Sequence, residues 1–60
     1  MVDVAKLVAK MGEFAAKTKD DRLSVEVSRV ANRLSHAGAA FERRLTTREL
    51  AVIRPFLRNA

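Results

Sequence analysis

Residues 21–45 read DRLSVEVSRVANRLSHAGAAFERRL, and this stretch decides how the chain is understood. Its larger apolar residues, Leu23, Val27, Val30, Leu34, Ala37 and Phe41, follow alternating steps of four and three. That spacing is a heptad seam along one side of a helix. Gly38 falls inside it, and a glycine after a helical run is a candidate C-cap. Phe41 and Leu45 nevertheless keep the phase set by Leu23, so the pattern favours one helix from about residue 21 to residue 45. Such a helix is about 36 Å long, which is long for a chain of this size.

A second line runs beside the first. Ser24, Ser28, Ala31, Ser35 and Gly38 also recur at four and three steps, and their small side chains leave a shallow groove where another backbone can approach closely. An exposed face that tolerates serine has the same pattern. The third side of the segment gathers Arg22, Glu26, Arg29, Arg33, His36 and Arg43, with Arg44 at its edge. Guanidinium groups in such a row suit bidentate contact with phosphate or carboxylate, and a solvated face is the alternative. Val25 lies within or beside this side, and one exposed valine needs no special explanation.

Upstream, Val4, Leu7, Val8, Met11, Phe14 and Ala15 span an arc of about 120° at 100° per residue, with Asp3, Lys6, Lys10, Glu13 and Lys17 opposite. This predicts an amphipathic helix over about residues 3–18, capped or favoured by Asp3. Gly12 lies at the rim of the apolar arc, where the missing side chain lets a neighbouring helix come close. The segment Thr18-Lys19-Asp20-Asp21 reads as the connection, with Asp20 or Asp21 capping the next helix.

Downstream, Leu45-Thr46-Thr47-Arg48-Glu49-Leu50 carries the most specific local signal. With Thr46 as N-cap, Glu49 stands at N3 and completes a capping box, while Leu45 and Leu50 take the two positions of the hydrophobic staple. This predicts a helix over about residues 47–54, kinked or ended by Pro55, which lacks an N–H for the Ala51 carbonyl. Phe56 and Leu57 then either dock back on the body or serve as an anchor for a partner. The nine residues LTTRELAVI, Leu45 to Ile53, resemble the opening of the helix-turn-helix domain of LuxR-type regulators. Only seven residues come after Ile53, too few for a scanning turn and a recognition helix, so the family is not carried over.

The whole chain has 60 residues, 12 Lys plus Arg against 7 Asp plus Glu, and no cysteine. Disulfides and thiolate metal sites are thereby excluded, and so small a core must hold by packing alone or borrow surface from a partner. Two heptad-spaced lines on one helix demand more cover than the flanking segments readily supply. The expectation is an all-α single domain of three helices, the central one long, packed as a homodimeric helical bundle. Leu23, Val27, Val30, Leu34 and Phe41 form its association core, and Ser24, Ser28, Ala31, Ser35 and Gly38 set the close approach.

No catalytic constellation stands out. The single histidine, His36, has Asn32 and Ala40 at i−4 and i+4, and Glu42 and Glu49 do not make an obvious acid–base pair. No phosphate-cradling glycine loop, EF-hand or zinc-finger spacing occurs, and no cofactor is implied. No signal peptide or membrane-spanning run is read, which fits a cytoplasmic protein, and a membrane is not an expected partner. The expected function is that of a small, basic, non-catalytic protein that self-associates and binds or modulates a protein partner. The alternative is a dimeric nucleic-acid-binding protein that contacts phosphates through Arg22, Arg29, Arg33, His36, Arg43 and Arg44.

Overall fold

In the computed structural model, which describes residues 2–58, the chain is all-helical, with no strand among those residues. Three main helices are present: α1 (Val4–Lys17), α2 (Asp21–Ala37) and α4 (Thr47–Arg58). A 3₁₀ turn (Gly38–Ala40) and the single-turn helix α3 (Phe41–Arg44) join the last two. Their Cα atoms have a radius of gyration of 10.5 Å. No helix among the described residues is long and apolar enough to cross a membrane.

Each helix starts where a side chain can satisfy its free N–H groups. Asp3 accepts from the Lys6 N–H at 3.2 Å, and Asp20, rather than Asp21, accepts from the Leu23 N–H at 3.1 Å. At α4 the capping box is complete: the Glu49 N–H donates to the Thr46 hydroxyl at 3.1 Å, and the Thr46 N–H donates to Glu49 Oε1 at 2.9 Å. Leu45 is buried and Leu50 packs against the core, as the two ends of the staple require.

The core is shared by all the main helices. It contains Leu7, Met11 and Ala15 from α1, Val27, Val30, Ala31 and Leu34 from α2, and Phe41, Leu45 and Ile53 from the remainder. α1 packs along α2, while α4 touches both more lightly. The α1–α2 contact also carries one part-buried polar link, since the Ser24 hydroxyl donates to the Ala15 carbonyl at 2.7 Å. That bond satisfies a carbonyl in the last turn of α1, where helical partners run out.

Three expectations need correction. The long helix over 21–45 does not form: α2 ends at Ala37, and Gly38 takes φ 64° and ψ −144°, a conformation that only glycine adopts readily. Its N–H closes the helix by donating to the Leu34 carbonyl. Phe41 and Leu45 are nevertheless buried: beyond the break at Gly38, the 3₁₀ turn and α3 return both side chains to the core.

The final helix, expected over 47–54, passes through Pro55 to Arg58. Ala51 and Pro55 are both exposed, so the carbonyl left without a donor lies on the water-facing side. Beyond it, Phe56 and Leu57 pack on the core, and Phe56 meets Phe14 edge-on at 5.5 Å and 79°. Those contacts offset the cost of the proline. Gly12, thirdly, is exposed, and a Cβ built there meets nothing within 4 Å, so it mediates no close helix approach.

Candidate functional site

The residues expected to form an association core are placed inside the single chain. Val27, Val30, Leu34 and Phe41 are all at most 5% exposed, and Leu23 is half-buried against the same cluster. Within the single chain these side chains are covered by the other helices. The small-residue line divides between two surroundings. Ala31 is buried, Ser24 is committed to Ala15 and Gly38 is half-buried, whereas Ser28 and Ser35 face solvent. It is therefore not one continuous free groove. Phe56 and Leu57 are half-buried in the rim of the core, so they offer a partner only the outer side of a docked pair.

The arginine surface remains open. Residues 1–21 hold four lysines against four acidic groups, while residues 22–58 hold eight arginines against three glutamates. The whole formal excess of +5 therefore lies on the second part of the chain, and every Lys or Arg there is an arginine. Arg22, Arg29, Arg33, His36, Arg43 and Arg44 are all exposed. Arg33 reaches across to α4, where its Nε stands 2.6 Å from Glu49 Oε2. Among the described residues Arg22, Arg29, Arg43, Arg44 and Arg48 have no carboxylate partner, and the i,i+4 and i,i+3 neighbours of Glu26 do not close onto it.

Glu26 and Glu42 are the other carboxylates on this part of the chain, too few to balance eight arginines, and three further acidic groups have structural duties. Asp3 and Asp20 cap helices, and Glu49 serves both the capping box and Arg33. The Thr46 backbone N–H is the main cause that holds the Glu49 carboxyl below its ordinary value. The Thr46 side chain and the Arg33 charge act in the same direction, against an opposing push from partial burial. Glu49 is thus a structural anion, fixed and already paired.

Two hollows lie on this side of the molecule. The larger, of about 610 Å³, runs between α2 and α4 and is open to solvent. Arg22, Arg29, Arg33 and Arg48 stand around it, and Val25, Val30 and Val52 give it an apolar floor. The smaller, of about 400 Å³, brings Arg33 and His36 of α2 to Arg44 and Leu45. His36 Nδ1 lies 2.8 Å from the Asn32 carbonyl, which can only accept, so the ring proton sits on that nitrogen. Among the described residues no group of three or more His, Cys, Asp or Glu is arranged to hold a metal ion.

The groove between α2 and α4 combines residues that the sequence presents on separate helices. Arg22, Arg29 and Arg33 stand out from their spacing, but Arg48, Val52 and the bond from Arg33 to Glu49 do not. Helical periodicity groups residues within one element and carries no information about which face of another element lies opposite. The one usable signal is Val25, a valine interrupting an arginine row and 52% exposed. No protein-family model, curated protein or solved structure matches the chain.

Proposed function

We propose that the chain is a non-catalytic binding module that engages an acidic protein partner through the arginine surface of α2 and α4. The observation that carries this reading is the segregation of charge: all of the +5 excess falls on residues 22–58, and of the eight arginines there seven lack a carboxylate partner among the described residues. Guanidinium groups are more weakly hydrated than ammonium groups and present a fork that matches a carboxylate, so desolvating them against an acidic partner costs less. The valines between them add apolar area of a kind that protein interfaces use at their centres.

A nucleic-acid phosphate backbone is the second reading. It is favoured by the hollow that brings Arg33, His36 and Arg44 together on the same basic side. Fluorescence polarisation over a salt series separates the two, using labelled random-sequence duplex DNA and a labelled glutamate-rich peptide. An acidic-protein module binds the peptide at least as tightly as the DNA at moderate salt. Preferential DNA binding, with log affinity falling steeply against log salt, moves the assignment to nucleic acid.

Self-association belongs to the same reading in a restricted form. Val27, Val30, Leu34 and Phe41 are spent on folding, so a homodimer would use outer surfaces such as the half-exposed edge of Phe14 and Val2. Sedimentation equilibrium at micromolar concentration decides whether it forms.

A further inference from the structure

We infer that the groove between α2 and α4 is the docking seat for one amphipathic acidic helix of a partner protein, apolar side down on Val25 and Val52. This rests on the acidic-partner reading and narrows it to one place and one shape of ligand. On α2 the wall residues Arg22, Val25, Glu26, Arg29 and Arg33 recur at steps suited to one face, so a continuous helical side borders the groove. On α4, Arg48 and Val52 stand one turn apart on the facing side. Apolar floor and cationic rim thus run together along the axis of α2. Arg22 and Arg29 are seven residues apart, about 10.5 Å of helix rise, which equals the repeat of carboxylates placed at i and i+7 on an incoming helix.

Charge and polarity both select this occupant. Four arginines face two glutamates in the groove, and Glu49 is already held by Arg33 and the Thr46 N–H, so the local field is positive. A phosphate backbone would gain from that field but not from the valines. A purely apolar helix would gain from the valines and leave the arginines desolvated without partners, which is costly. A helix with glutamates flanking an apolar stripe matches both halves, in the groove-binding mode that amphipathic helices use.

The test uses the full chain and two synthetic peptides of about 18 residues, long enough for five helical turns. One places leucines at i, i+3, i+4 and i+7 with glutamates flanking them, and the other scrambles the same composition. Polarisation should show the amphipathic peptide binding about fivefold or more tighter than the scrambled one. Val25→Ser should weaken it about fivefold, as should Arg22→Gln with Arg29→Gln, because an apolar anchor and its flanking charges act at one site. The charge-matched control, Arg54→Gln with Arg58→Gln at the other end of α4, should change binding less than about twofold. Circular dichroism confirms that each variant is folded; Val25, being half-exposed, tolerates serine without loss of core.

If the scrambled peptide binds equally, or the Arg54/Arg58 variant loses as much as the Arg22/Arg29 variant, only net charge is being read. The groove assignment then fails while the acidic-partner reading survives. Absence of binding by both peptides at low salt overturns both. Tighter binding of duplex DNA than of either peptide, unaffected by Val25→Ser, also overturns both and assigns the surface to nucleic acid.

Discussion

The hairpin of α1 and α2 and the segment from Gly38 to Arg58 are held in place by different means. Seven of the ten buried residues belong to the hairpin, and three, Phe41, Leu45 and Ile53, belong to the later segment. The hairpin rests on a broad apolar contact, to which the bond from the Ser24 hydroxyl to the Ala15 carbonyl adds a polar link. The later segment is positioned by point devices: a glycine of special conformation, a reciprocal cap and one ion pair. Burial is tolerant of small shifts in direction, whereas caps and ion pairs fix angles. The first part therefore supplies cohesion and the second supplies aim, and the open groove lies along the line where the two meet.

The strongest challenge to that division is to damage the hairpin. Leu34 is fully buried, and Leu34→Ala should cost about 2–5 kcal/mol, enough to threaten the whole fold of so small a chain. Urea denaturation measures it, and a loss below that range would mean that the apolar contact is not the main source of cohesion. Next comes Gly38→Ala. Nothing lies within 4 Å of an added Cβ, so the expected loss of about 1–3 kcal/mol comes from the backbone alone. A neutral result in a thermal melt would show that the turn relaxes freely and that Gly38 does not aim α3 and α4.

Thr46→Ala removes the acceptor for the Glu49 N–H and should cost about 1 kcal/mol. Its partner supplies a test by pH. Because the Glu49 carboxyl is lowered in the folded state, its contribution is fully present above its unfolded value, near 4.5, and is lost as pH falls through the lower folded value. Melting temperatures followed into acid should therefore fall less for Glu49→Gln than for the parent chain. Equal falls would show that the box and the Arg33 pair have little hold on α4. The smallest effect has the opposite sign: Gly12→Ala, at an exposed and unobstructed position inside α1, should stabilise by up to about 1 kcal/mol. A loss there would reveal a contact to the hairpin that the structure does not contain.

Much of this organisation is legible in the sequence, where the controlling interaction is local. Asp3, Asp20, Thr46 and Glu49 act within three residues of the groups they satisfy, so helix starts can be read directly. The apolar arc of α1 likewise names its buried residues Leu7, Met11 and Ala15. Helix ends are harder, because two signals compete at each. At Gly38 the heptad spacing favours a continuous helix and the glycine favours a break; the same spacing is compatible with both, because Phe41 and Leu45 are buried on the far side of the break. At Pro55 the missing N–H suggests an end, but tertiary packing of Phe56 against Phe14 keeps the helix going. Which chain covers the α2 seam is least legible of all: burial within a monomer and burial within a dimer require the same residues.

The partition of basic residues has a practical consequence. Lys6, Lys10, Lys17 and Lys19 are the lysines of the chain, and none lies at or beyond Arg22. Reagents and enzymes that act on the ε-amino group, from amine-reactive dyes to acetyltransferases, can therefore modify side chains only on α1 and the turn after it. Guanidinium groups stay charged and unmodified under such chemistry. A fluorophore can be mounted on the lysine-bearing end while the arginine surface keeps its native charge. Acylation of those amines likewise lowers the net charge of the molecule without changing any residue that lines the groove.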